Sequence, residues 1–278
     1  MNNELRMAVG SNLLILSSLV IVHLNFSCIR TLIMHVAVST QCLPITNNNQ
    51  ACCATMAKGG SSYRISAAPV TIFVHLLAIS ISTLSLVWLI KFREGFAFNS
   101  RIKAKIFNLH PLLMILGFLL FSGEAIVVYK AIPANRKAQK IVHLILHFIA
   151  LASGILGVYA VFKFHNEVHI PNMYTLHSWI GLSTISLFGL QWLLGFFTFF
   201  YPRAESTTRA NMAPWHAFFG IVLFFMTIVT AETGLTQKFI FQGLLRSQEA
   251  LMINFTGLLI LLFGIFVGLS VILPRRNY

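Results

Sequence analysis

Six times between residues 68 and 273 the sequence passes through a run of about 20 or more apolar residues, the length a helix needs to cross a bilayer core of roughly 30 Å. The runs place helices at about 68–90, 106–129, 141–164, 174–201, 212–235 and 250–273. Breakers and charges gather between them, at Arg93-Glu94-Gly95, Pro133, Asn166-Glu167, Pro202-Arg203 and Gln242-Gly243. Short connections make successive helices antiparallel neighbours. The expected fold class is therefore an all-α integral membrane protein, a six-transmembrane-helix antiparallel bundle, with an N-terminal extension before it.

Composition agrees. The chain is 57% hydrophobic and only 10% charged, with a mean hydropathy of +0.79, whereas a soluble domain carries roughly 25% charged residues. The net charge of +13 sits at the ends of the apolar runs, so lipid headgroups and acidic ligands, not nucleic acid, are the expected partners. Aspartate is absent, which excludes paired-Asp catalysis, Asp-built magnesium sites and EF-hand loops. The four cysteines, Cys28, Cys42, Cys52 and Cys53, all precede Met56, so thiol catalysis and iron–sulfur clusters are excluded for the main body. Residues 1–55, with a short apolar core at 13–22 and an Asn run at 47–49, form an extension ahead of a 56–278 domain. That extension reads as dispensable, signal-like or a further hydrophobic segment. Lys and Arg are nearly balanced across the membrane. A slight excess on the side of Lys130, Arg136, Lys140 and Arg209 turns both ends of the 56–278 domain to the cytosol.

The ten histidines carry the chemistry, because polar groups at membrane depth are costly and tend to be functional. His110, His143, His177 and His216 each stand near the start of a helix, the first behind Asn108 as an expected N-cap. Antiparallel topology puts His110 and His177 at one depth and His143 and His216 at another. Each heads a stripe at helical spacing: His110, Met114, Gly117, Phe121, Glu124; His143, His147, Ala150, Gly154, Gly157; His177, Gly181, Thr184, Phe188, Gln191, Gly195; and His216, Gly220, Leu223, Thr227, Thr230, Gly234. Small residues on inner faces serve close helix packing or make room for a flat cofactor. Two imidazoles cannot close a zinc site without further ligands, but they suffice for a haem, whose macrocycle supplies the rest. The pairs thus point to two haems, one near each face, provided that paired rings lie close enough to flank one iron. His147 is a competing ligand one turn from His143; His23, His35 and His75 lack such partners and read as structural. His165 and His169 lie past the third helix, and His165 extends a stripe towards the opposite site.

Local strings then become telling. Phe107-Asn108-Leu109-His110-Pro111, Lys140-Ile141-Val142-His143-Leu144, Tyr174-Thr175-Leu176-His177-Ser178-Trp179 and Pro214-Trp215-His216 resemble signatures of the eukaryotic cytochrome b-561 family. The resemblance is to the plant tonoplast-type ascorbate ferrireductases in particular and runs from about Met56 to the C-terminus. It implies haem b, two per chain, with His143 and His216 holding the cytosolic haem and His110 and His177 the lumenal one. It further implies ascorbate contacts at Lys140 and Arg209, and basic positions near the cytosolic haem at Lys130 and Arg136. On the far side it implies a substrate contact at His165, with Asn172, Tyr174, Thr175 and Gln237 around the lumenal haem. The motif reads TLHSW here where the family has SLHSW, and Gln237 stands where relatives often carry Glu.

What the resemblance implies is electron transfer from cytosolic ascorbate to lumenal monodehydroascorbate or a ferric iron chelate, in a homodimer of the vacuolar membrane or another endomembrane. The rival reading of the residues is a His-lined proton or metal-cation transporter without haem, in which Glu124 is a further polar station.

Overall fold

The computed structural model describes residues 67–274. The 1–55 extension, its cysteines and the ends of the 56–278 domain lie outside the described residues. Six helices are long and apolar enough to cross a membrane: α1 (Ala67–Phe92), α2 (Lys103–Ala131), α3 (Arg136–Glu167), α4 (Leu176–Phe199), α5 (Ser206–Phe241) and α6 (Gln248–Ile272). No strand occurs among the described residues. Several helices outrun their apolar cores. α3 begins at Arg136, where the Asn135 side chain accepts from the Ala138 N–H as an N-cap, and its polar first turns reach beyond the hydrocarbon. α5 extends past its apolar stretch at both ends.

α2, α3, α4 and α5 pack in sequence order, and the middle of α2 closes the ring against α5. α1 and α6 join at the α2/α5 edge through a shared core. Val74, Leu77 and Ile81 of α1 meet Ile115 and Leu119 of α2, Phe224 and Ile228 of α5, and Ile260 and Phe263 of α6. Close approach depends on missing side chains: a Cβ on Gly123 collides with the Phe263 ring, and one on Gly264 meets Ile228 Cγ1 at 3.1 Å. A second, smaller cluster of Phe118, Ala150, Ile185 and Phe188 fills the middle of the four-helix ring. Large apolar side chains such as Ile79, Phe148, Leu190 and Leu258 point outward, as a lipid-facing surface requires.

Two expectations for α2 fail, for one local reason each. Asn108 is no N-cap: the helix starts at Lys103, and the buried Asn108 amide donates to Arg93 O at 2.8 Å and Gly95 O at 2.6 Å. It thereby fixes the α1–α2 turn, where Glu94 and Gly95 take positive φ. Pro111 has no N–H to continue the helical ladder, and Leu113–Leu120 widen into a π-helical stretch before the α-helix resumes at Phe121. The widening shifts the phase of everything beyond it. Phe121 is exposed, Glu124 Oε2 turns outward to His75 Nδ1 at 2.8 Å, and Ala125 takes the inward position expected of Glu124. His75, read as structural, is thus the partner of Glu124 and faces no other histidine among the described residues.

Candidate functional site

Two cavities open in the four-helix ring, one at each end. The first, about 380 Å³, is bounded by the starts of α2 and α4 and the ends of α3 and α5. His110 and His177 face each other across it, ring centres 6.0 Å apart. His110 Nδ1 lies 3.0 Å from Gly157 O of α3, and His177 Nδ1 lies 3.0 Å from Thr230 O of α5. Gly234 backs the His177 ring so closely that a Cβ there sits 2.7 Å from its Cε1.

The second cavity, about 710 Å³, is bounded by the opposite helix ends. His143 and His216 hold their ring centres 6.3 Å apart across it. His143 Nδ1 is 2.8 Å from Ala125 O. The partner of His216 is Gln191, whose amide nitrogen lies 3.1 Å from Nδ1 and donates to His216 O at 2.8 Å. Gly195 plays the part of Gly234, since a Cβ on it sits 2.9 Å from His216 Cε1.

These pairs fit a haem. A metal–imidazole bond of about 2.0 Å on each side places trans ring centres on the order of 6 Å apart. Nδ1–H donation to a carbonyl leaves Nε2 with the lone pair that binds a metal and fixes the ring plane. His110, His143 and His177 have that arrangement; at His216 the Gln191 amide, held by His216 O, faces Nδ1 in place of a carbonyl. Among the described residues no three His, Cys or Glu side chains converge, so a protein-only metal centre is not built at either end. Planar access between helices, two axial nitrogens and no third ligand match a macrocycle that brings its own four.

The other expected site residues divide by end. Arg136, Lys140 and Arg209 line the second cavity with Tyr129, whose ring is 5.3 Å from that of His143. The Arg136 guanidinium lies 6.0 Å from the Tyr129 ring centre, and Arg209 donates to Ala204 O. Lys130, on the last turn of α2, does not line the cavity. At the first cavity His165, Tyr174, Thr175 and Gln237 all contribute lining. Thr175 N-caps α4 by accepting from the Ser178 N–H, and its hydroxyl lies 3.4 Å from Gln237 Oε1. Asn172 does not line the cavity but holds His165, its Oδ1 3.0 Å from His165 Nδ1.

His147 is buried in the second cavity, its ring edge-on to His143 at 4.4 Å and 5.3 Å from Phe188. The ring opposite His216 is that of His143. The sequence reading missed the direct role of Gln191, although a lone amide within the apolar run of α4, on the stripe led by His177, signalled it. Tyr129 lies off the histidine stripes, whereas Phe107, three residues before His110, and Lys238, four after Gly234, extend two of them and went unremarked as such.

The comparisons agree with this architecture. Residues 109–242 match the family model described as eukaryotic cytochrome b561. The probable ascorbate-specific transmembrane electron transporter 1 of Oryza sativa subsp. japonica is 45% identical over 217 residues, 76% of this chain and 93% of the relative. The transmembrane ascorbate ferrireductase 1 of Arabidopsis thaliana is 46% identical over 211 residues, 74% and 88% of the two chains. The ascorbate-specific transmembrane electron transporter 1 of Zea mays is 44% identical over 222 residues, 78% and 94%. A six-helix membrane bundle with two facing histidine pairs and relatives matched nearly end to end leaves one conclusion: the chain belongs to the eukaryotic cytochrome b561 family.

Proposed function

We propose that this chain is a transmembrane ascorbate-dependent oxidoreductase that takes electrons from cytosolic ascorbate at the His143/His216 end. It delivers them to monodehydroascorbate or a ferric chelate at the His110/His177 end. The observation that carries the reading is the pair of facing imidazoles at each end of the bundle, 6.0 and 6.3 Å between ring centres. His110 with His177 and His143 with His216 would hold haem b, two per chain, which would supply a one-electron Fe(III)/Fe(II) couple at each pair.

The chain's own residues do the remainder. Lys140 and Arg209 line the second cavity and bind the ascorbate monoanion through charge-assisted hydrogen bonds. Arg136 and Lys130 add positive charge at the same end. Backbone carbonyls of Ala125, Gly157 and Thr230, with the Gln191 side chain, hold the four ligand rings in plane. At the other end His165, braced by Asn172, meets the acceptor, and Tyr174, Thr175 and Gln237 shape the mouth. The slight positive-inside excess supports a cytosolic second cavity, and the names of the plant relatives support ascorbate as donor. On this reading residues 56–278 are the working domain, in a homodimer of the vacuolar membrane.

A pyridine haemochrome assay on the purified chain tests the reading. Two haems per chain with a low-spin b-type spectrum are expected, and His143→Ala removes one of them together with reduction by ascorbate. A colourless chain that moves protons or metal cations refutes the proposal in favour of the transporter.

A further inference from the structure

Lys238 lies in the last turn of α5, where a cation complements the helix dipole. Its side chain does more than that: it turns into the first cavity and sets Nζ 4.0 Å from the centre of the Phe107 ring. Phe107 in turn stands 6.2 Å from the His110 ring and 5.3 Å from Phe164. The ammonium group therefore sits at the cavity's mouth, one ring away from the histidine pair.

Its surroundings are uneven in charge. Of the residues that line this cavity among those described, Lys238 is the only Lys or Arg and none is a carboxylate. Of the carboxylates at this end, Glu249 and Glu167 are engaged elsewhere, and the half-buried Glu232, six residues back on α5, packs against Gly257 of α6. Glu249 pairs with Arg93 and accepts from Trp88 Nε1 at 2.8 Å. Glu167 holds Lys103 at 2.6 Å and lies 3.9 Å from Lys163, which also donates to Phe98 O. Among the described residues Lys238 has an aromatic face and no ion pair. Glu249 acts on Lys238 only through space and is opposed by the like charge of Arg93, its own ion-pair partner. A lysine that faces an apolar cavity at the membrane boundary with no contact ion pair is costly, and a bound anion offsets that cost. Thr175, Ser178, Gln237 and Gln242 line the same mouth and offer hydroxyl and amide donors to share the load.

We infer that Lys238 is an anion-binding residue of the first cavity, with Phe107 as its resting platform, and that its ligand is a carboxylate. The carboxylate has two sources, a haem propionate or an anionic electron acceptor. The inference rests on the functional reading above and adds to it the group that selects for negative charge on the far side.

The test uses the full chain, purified with its haems, as wild type, Lys238→Met, Lys238→Gln and Lys238→Arg. Two readouts separate the sources. The first is the midpoint potential of the His110/His177 haem, by spectroelectrochemical titration. The second is the ratio of kcat/KM for ferric citrate, an anion, to kcat/KM for hexaammineruthenium(III), a cation. If the ligand is the propionate, Lys238→Met and Lys238→Gln lower that potential by about 59 mV, a tenfold change in a one-electron equilibrium. If it is the acceptor, the anion-to-cation ratio falls about tenfold, the size of one charge-assisted hydrogen bond. In both cases Lys238→Arg restores most of the effect. Loss of that haem alone in Met and Gln, with retention in Arg, counts for the propionate. Haem-loaded Met and Gln variants that move neither readout overturn the inference while leaving the functional reading intact. A wild-type chain without haem overturns both.

Discussion

Gly234→Ala is a one-carbon change with a calculable consequence. The added Cβ stands 2.7 Å from His177 Cε1, 3.1 Å from Nδ1 and 3.4 Å from Nε2. Carbon atoms rest about 3.5–4.0 Å apart, so the imidazole must retreat by roughly 0.8 Å or the α4–α5 backbones must part. A metal–nitrogen bond tolerates about 0.2 Å, a quarter of that retreat. Overpacking of this kind costs about 1–3 kcal/mol, enough to weaken haem retention at this pair by about 5- to 150-fold. Gly195→Ala makes the mirror-image perturbation, with its Cβ 2.9 Å from His216 Cε1. Gly189 of α4 is the control, since its Cβ meets nothing closer than Leu151 Cδ1 at 3.6 Å. Pyridine haemochrome titration against protein concentration reads the outcome. Gly234→Ala is expected to lose haem from the His110/His177 pair alone, Gly195→Ala from the His143/His216 pair alone, and Gly189→Ala from neither. If both tight-glycine variants keep two haems with wild-type spectra, the imidazole positions do not define the sites and the reasoning fails.

Other consequences follow from the same geometry. Lys140→Met and Arg209→Met each raise KM for ascorbate by about tenfold, read in steady-state reduction of the purified protein; an unchanged KM in both removes them from the donor site. Asn108→Ala deprives Arg93 O and Gly95 O of a buried donor and costs about 1–3 kcal/mol in thermal unfolding. Glu249→Gln breaks the largely buried pair with Arg93 and leaves the guanidinium uncompensated, a loss of about 3 kcal/mol visible as a lowered Tm in detergent. Gln191→Leu removes the side chain that contacts His216 Nδ1 and is expected to perturb the spectrum of the His143/His216 haem while sparing the other.

Much of this arrangement was legible from residue spacing. The stripes of α3, α4 and α5 hold along their whole length, because those helices keep an α-helical repeat between one end and the other. Gly157 of the α3 stripe supplies the carbonyl for His110, Thr230 of the α5 stripe that for His177, and Gly195 and Gly234 give way to the rings. The α2 stripe holds through Met114 and Gly117 and fails from Phe121, because Leu113–Leu120 abandon that repeat and no periodicity rule anticipates the slip. Asn108 was misread for a related reason: an Asn before an apolar run has the look of a cap, and only the fold of the α1–α2 turn shows that its amide points backward. The contact between Lys238 and Phe107 lay beyond reach, since a cation resting on a ring from another helix leaves no trace in linear spacing.

Phe118, Ala150, Ile185 and Phe188 occupy the ground between the two cavities, with the Phe118 and Phe188 rings 4.9 Å apart edge to face. None of their side chains can donate or accept a proton, and a charge in their midst would be costly. Electrons tunnel through such material; ions do not cross it. Were the chain to carry electrons as proposed, this apolar layer would let them pass between the two ends without offering ions the same route.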